Sequence, residues 1–175
     1  TDTPARNRLV VEKYQEHGQG LPALAFCVDV AHSEHVAEAF REAGIRAQAI
    51  HSKLPPGEST RLISAYLAGK IQVLSSCEMI LEGFDAPLAA VLLRIRATMS
   101  LVLARQMLGR GLRTHPGKTE CIVVDFVDDG VPLAIADDAA DLSKANEGAA
   151  SPAPRLFMPG DIVRHRHSDR SGVGL

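Results

Sequence analysis

The sequence predicts an α/β fold: a parallel β-sheet with helices on both faces over residues 1–135, then a linker at 136–156 and a truncated β segment at 157–175. Three observations carry that reading. Short apolar runs such as ALAFCV (23–28) have strand length without the alternation of a half-solvated strand, as expected of strands buried on both faces. Segments with apolar positions at helical spacing lie between them. The two patterns alternate along the chain, which implies βαβ units and a parallel sheet.

The elements follow in order. Residues 9–17 combine apolar positions with Glu and Lys and fit a short helix ended by Gly18 and Gly20. ALAFCV is the first strand. SEHVAEAFREAG (33–44) is a helix: Ser33 can cap it, Val36, Ala37, Phe40 and Ala43 share a face, and Gly44 stops it. IRAQAIH (45–51) alternates as a strand does, and LPPGE then breaks the chain. STRLISAYLAGK (59–70) is helical, with Leu62, Ile63, Tyr66 and Leu67 at helical spacing. IQVLSS (71–76) and AAVLLRI (89–95) are strands, SLVLARQMLGRGLR (100–113) is a helix, and ECIVVDFVD (120–128) is the last strand of the series. After Asp129 the pattern decays. DDAADLSKANEGAASPAP (137–154) has linker composition, and the β-like RLFMPGDIVRHRHSDRSGVGL follows it.

Composition bounds the function. Aromatics are 4% of the chain and Trp is absent, so the core rests on Leu, Val, Ile and Ala. Cys27, Cys77 and Cys121 lie far apart, giving neither a disulfide framework nor paired metal-ligand spacing; they read as buried thiols in a reducing, cytoplasmic setting. No apolar run approaches the ~18 residues of a membrane span, so no membrane partner is expected. There is no signal-peptide pattern, and the start at Thr-Asp-Thr implies a piece of something longer. A net charge of -2 excludes a broad basic face for gripping nucleic acid, so any such contact must be local.

In parallel sheets of this kind ligands meet the loops at the carboxyl ends of the strands, and the polar motifs are weighed there. Gly117-Lys118-Thr119 has the look of a phosphate-binding loop. That loop needs a Gly where Leu112 stands, a strand before it and a helix after it; here a helix precedes and a strand follows. HPGKTE is a tight turn. In QMLGRGLR, Arg110 and Arg113 project from one face of the helix, and Gly109 and Gly111 clear the space around Arg110. Two guanidiniums aimed at one point would stabilise a transferring phosphoryl group. They would equally complement the negative end of a helix, and the segment alone does not decide between the two.

The second signal is VLSSCEMILEGFDAP (73–87), a strand running into a loop closed by Gly, Asp and Pro. With QMLGRGLR some way on, it closely resembles the C-terminal motor lobe of superfamily 2 helicases, in the DEAD/DEAH-like group and nearest the branch of type III restriction subunits. The two segments look like motifs V and VI of that family, ALAFCVDVAHSEHVAEAF resembles motif IV, and STRLISAYLAGKIQVL resembles the helix and strand after it. The resemblance covers roughly residues 20–128, and the order of four motifs makes it specific.

The resemblance implies a RecA-like sheet and a set of roles. Motif VI would supply Arg113 as arginine finger, Arg110 as a second γ-phosphate contact, and Gln106 and Gly109 near the phosphates. Motif V would supply Gly83 and Asp85 to the ribose and to coupling with the other lobe. Glu82 beside them stands where the DEAD-box branch commonly has Arg, which fits the restriction-subunit-like branch. Ser76 and Cys77, the latter where many relatives have Thr, would contact the nucleic-acid backbone. The implied cofactor is ATP with Mg²⁺, bound mainly by an N-terminal RecA-like lobe of the same parent protein. That lobe and nucleic acid, DNA ahead of RNA, are the implied partners. This chain alone should hydrolyse almost nothing. The rival reading is a non-enzymatic RecA-like docking module.

No metal ligands are expected. Asp125, Asp128 and Asp129 resemble an acidic metal motif but match the last core strand of the lobe. His32 and His35 lack a third ligand and read as capping and surface residues; His165 and His167 fall on one face of a strand. PGDIVRHRHSDRSGVG resembles the opening of small SH3-like barrels of the Tudor or KOW type, and its basic residues could meet phosphate.

Overall fold

The apolar runs become strands because their alternate residues find cover on opposite sides of one sheet. In the computed structural model of the protein, residues 2–77, 88–96, 120–126 and 162–166 are described, with Glu120 and 162–166 described by backbone alone. The strands are β1 (Ala23–Phe26), β2 (Ala47–Ile50), β3 (Val73–Ser76), β4 (Val91–Arg94), β5 (Glu120–Asp125) and β6 (Ile162–Arg166). The helices are α1 (Pro4–Gly18), α2 (Val30–Glu42) and α3 (Glu58–Leu67). The sheet order is β2-β3-β1-β4-β5-β6; the first five strands run parallel and β6 pairs antiparallel with β5.

Both faces are buried, as the unbroken apolar runs require. On one face Ala23, Ala25, Val73, Val91, Leu93, Ile122 and Val124 pack with Val10 and Tyr14 of α1 and Val36 and Phe40 of α2. On the other, Leu24, Phe26, Ile50, Leu74, Leu92 and Val123 pack with Leu62 and Tyr66 of α3. Each fully buried side chain of this size contributes about 1.5–3 kcal/mol. Tyr14 meets Phe40 edge to face with centroids 5.3 Å apart. Its hydroxyl donates to the Leu21 carbonyl at 2.6 Å and accepts from Gln72 Nε2 at 2.9 Å.

The starts of α1 and α2 differ from the sequence reading, and a cap explains each. α1 begins at Pro4 because Thr3 accepts the Arg6 N–H on its side chain and Pro suits the first turn. α2 begins at Val30 because Asp29, not Ser33, is the cap; its Oδ1 accepts the His32 N–H at 2.8 Å. Ser33 lies inside the helix and donates to the Val30 carbonyl at 2.7 Å. Gly18 is the last residue of α1 rather than its breaker. A Cβ there would come within 2.7 Å of the Tyr14 ring, and the left-handed cap falls to Gln19 at φ 43°. Gly44 ends the region of α2 at φ +77°, where a side chain would be strained.

β6 realises the β-like pattern near the end of the chain by adding to the main sheet, with His165 level with Cys121. One antiparallel edge strand on a parallel sheet is a common arrangement. The expected helix at 100–113, the linker, and residues 157–161 and 167–175 lie outside the described residues.

Candidate nucleic-acid and nucleotide interface

The register of the parallel strands sets five residues in one row along the carboxyl edge. Ile50, Ser76, Phe26, Arg94 and Asp125 are level across β2, β3, β1, β4 and β5. The chain therefore leaves the sheet side by side at Cys27, His51 and Cys77. The ladder extends one step past β1, since the Cys27 N–H donates to the Ser76 carbonyl at 2.7 Å. Ser75 ties β3 to α2 by donating to the Ser33 carbonyl at 2.7 Å.

Ser76 and Cys77, the residues expected at nucleic acid, sit where an interior strand ends. Both residues are buried as a whole, at 2% and 6% exposure. The Ser76 hydroxyl has no hydrogen-bond partner among the described residues. Burial pushes the Cys27 thiol up, with the neighbouring Cys77 adding to it, so Cys27 is a packed thiol and not a nucleophile.

Two histidines that sequence reasoning did not place in the site share this edge. His51 is 4% exposed; its Nε2 lies 3.1 Å from Glu34 Oε1 and its Nδ1 has no partner among the described residues. His32 is fully buried, and its Nδ1 accepts the Val28 N–H at 3.4 Å. Desolvation lowers its pKa against the pull of Asp2 and Asp29, so the ring is held neutral with its proton on Nε2, which lacks an acceptor among the described residues. The signal for His51 was its position: it closes the alternating run IRAQAIH at a strand end, immediately before the chain break. His32 carried no comparable signal. His35 turns away from it to Asp2, at 2.7 Å, so the two rings do not form a metal pair.

The far half of the same edge is closed. Arg94 Nε donates to Asp125 Oδ1 at 2.9 Å and its terminal nitrogen lies 2.8 Å from Oδ2, with both residues buried. This two-pronged pair engages both carboxylate oxygens and accounts for Asp125 without a metal. Beside it, Arg6 donates to the Phe126 carbonyl. Among the described residues no group of three or more His, Cys, Asp or Glu is set to hold a metal ion. Glu82, Gly83, Asp85, Gln106, Gly109, Arg110 and Arg113 lie outside the described residues, as do Asp128 and Asp129.

A sheet parallel over five strands and covered by helices on both faces is an α/β fold of the RecA-like kind. The family of the helicase conserved C-terminal domain matches residues 5–115, and the chain belongs to it. It is 42% identical over 105 residues to a Schizosaccharomyces pombe protein that bears the name of a mitochondrial ATP-dependent helicase, irc3. That match takes in 60% of this chain and only 17% of the relative, so the chain spans less than a fifth of that protein's length. Its fold is similar to a variant C-terminal domain of Saccharomyces cerevisiae Dbp5, with a TM-score of 0.55, 18% identity, and coverage of 63% of this chain and 66% of that one. It is similar also to the Mycobacterium smegmatis helicase Lhr, solved with ssDNA and AMP-PNP, with a TM-score of 0.51, 16% identity, and coverage of 61% of this chain and 15% of that one. The chain is thus a C-terminal domain of the superfamily 2 helicase and translocase type. Among the described residues no helix is long and apolar enough to cross a membrane.

Proposed function

We propose that this domain, residues 1–135, completes the ATP site of an N-terminal RecA-like lobe and holds one stretch of the nucleic acid along which the motor moves. The observation that carries the reading is the end of β3. The segment with the motif V pattern leaves the sheet at Ser76, on an interior strand, at the edge where the Ser76 hydroxyl, His51 Nδ1 and His32 Nε2 are buried without partners among the described residues. Buried polar groups are almost always satisfied, so unsatisfied ones gathered at a ligand-facing edge favour a polar occupant.

The chemistry of the chain's donors fits a nucleotide shared between lobes. Arg110 and Arg113 offer cations suited to the γ-phosphate, with Arg113 as arginine finger and Gln106 and Gly109 beside it. In this reading Gly83 and Asp85 serve the ribose and the coupling to the other lobe, and Glu82 belongs with them to the cofactor-binding set. Asp125, the acid at the end of the last parallel strand, is already taken by Arg94 and is not available to Mg²⁺. Metal binding would then fall to the other lobe, where ATP would supply the phosphoryl group and Mg²⁺ would neutralise the charge on it. Glu82 in motif V supports the branch of type III restriction subunits, and DNA is the favoured track.

The test uses a chain carrying both lobes. Arg113→Ala, or Arg110→Ala, lowers ATP turnover by about 10³-fold, within the range for arginine fingers. Melting stays within what exposed substitutions cause, about 0.5 kcal/mol. Early melting with turnover per folded molecule intact would make these arginines structural. Binding of single-stranded oligonucleotides is expected to be weak, indifferent to sequence and shallow in salt, at about -0.7 in log-log slope for each phosphate neutralised. A steep slope that vanishes on deleting residues 155–175 would move the contact to the basic tail.

A further inference from the structure

At the carboxyl edge His51 follows β2 directly, one step past the level pair of Ile50 and Ser76. Its carbonyl accepts the Leu54 N–H at 3.3 Å, so the chain turns out of the sheet there. The ring is buried, and its two nitrogens are in different states. Nε2 lies 3.1 Å from Oε1 of Glu34, a residue of α2, while Nδ1 has no partner among the described residues. Charged or titratable groups stand on three sides. α2 supplies the Glu34 carboxylate, Cys77 follows β3 one step past the same level pair, and the turn after His51 carries Lys53. Lys53 is exposed and makes no ion pair among the described residues. A carboxylate accepts and does not donate, so the Nε2 proton points to Glu34. In the uncharged ring Nδ1 is then an acceptor only.

We propose, on the nucleic-acid reading of this edge given above, that His51 contacts a backbone phosphate of the track through Nδ1 and takes up one proton from solvent as the phosphate binds. The chemistry of the two partners requires the proton. A phosphodiester offers acceptors alone, and so does Nδ1 of the uncharged ring, so the two would repel. A proton on Nδ1 makes it a donor and leaves an imidazolium between two anions, the phosphate and Glu34. Glu34 is the positioning residue: it fixes which nitrogen is left for the ligand, and its charge favours the doubly protonated ring. Burial of the ring strengthens both contacts, because little water screens them. Lys53 in the adjoining turn adds a second cation for the same anion. A ribose 2′-hydroxyl is the competing partner, since it would donate to Nδ1 without any added proton. DNA lacks that hydroxyl, so with DNA as the track the contact is to phosphate and depends on pH.

The experiment titrates a labelled oligothymidine with the whole 175-residue chain, by fluorescence anisotropy from pH 5.5 to 8.5 at fixed ionic strength. Affinity should fall as pH rises, by up to about tenfold per pH unit for one linked proton. His51→Asn, whose amide can donate without a charge, should flatten that profile. Glu34→Gln should move it to lower pH, because a neutral amide no longer favours the imidazolium. Coincident profiles for the unaltered chain and His51→Asn overturn the proposal, since the proton then goes elsewhere. Weaker binding by Ser76→Ala in the same assay would still leave the reading of the edge standing. Tighter binding of oligouridine with no dependence on pH also overturns the proposal, because Nδ1 then accepts from a 2′-hydroxyl. Absence of saturable binding of either strand at any pH overturns both the proposal and the nucleic-acid reading beneath it. Circular dichroism at each pH guards against unfolding. Should His51→Asn unfold, Glu34→Gln at its exposed position decides alone, and an unmoved profile overturns the proposal.

Discussion

The two halves of the carboxyl edge are built from the same kind of strand end and come to opposite states. At β4 and β5 a buried arginine and a buried aspartate satisfy each other with two contacts. At β2 and β3 a serine and a histidine are buried to a similar degree, and each leaves a polar atom without a partner among the described residues. Burial alone therefore does not separate scaffold from site; what each polar group is bonded to does. A closed pair holds strands in register. An open one costs stability unless another group, of protein or of ligand, meets it.

The comparison breaks most visibly at the closed pair. Asp125→Ala leaves Arg94 buried without its main counter-charge, and loss of about 3–5 kcal/mol is expected in urea denaturation. Adding Arg94→Met to that variant should restore part of the loss, because the uncompensated charge is gone. A loss below about 1 kcal/mol in the single variant would put the pair in the class of weak surface bridges and undo the contrast. At the open half the sign should reverse. Ser76→Ala removes a buried hydroxyl that has no partner among the described residues, so stability should hold or rise by up to about 1 kcal/mol. Affinity of the two-lobed protein for single-stranded DNA should fall. If Ser76→Ala destabilises the chain instead, the hydroxyl is structural and the edge is no more open than its neighbour.

The smallest effect is in pH. His32 has a lowered folded-state pKa, so its contribution is complete above its ordinary value of 6.5 and is lost as pH falls through the folded value. His35 is exposed and has a raised pKa, chiefly from its hydrogen bond to Asp2; its contribution is present below 6.5 and lost as pH rises. The two oppose each other. Urea midpoints at pH 8 and pH 5 should show a shallower acid loss in His32→Asn, which can still accept the Val28 N–H, and a steeper one in Asp2→Asn. Identical pH dependence in all three proteins would mean that neither His32 nor the His35–Asp2 pair changes its titration on folding.

Much of the fold was legible because both sheet faces are covered. ALAF, VLSS and the VLL of β4 carry unbroken apolar or small residues, and that pattern belongs to strands with no solvated side. Element ends were less legible. Asp29 and Ser33 are both good caps, and nothing local told which would take the role; the choice fell with the turn that β1 makes at Val28. The site divided in the same way. The end of β3 at Ser76 could be read from the apolar run that leads into it. The open His32 and the paired Arg94 and Asp125 could not, since Arg94 sits in an apolar run and meets its partner only through the register of two strands 31 residues apart.

The sheet order also has a consequence during synthesis. β1 is made early, yet one of its two edges belongs to β4, which begins at Val91. At roughly 5–20 residues per second, the ribosome needs about 3–13 s to deliver that partner after β1 has been made. Throughout that interval a strand that is apolar on both faces has at least one edge uncovered, and both until β3 is made, so the nascent chain is exposed to chaperones and to aggregation until β4 has been translated.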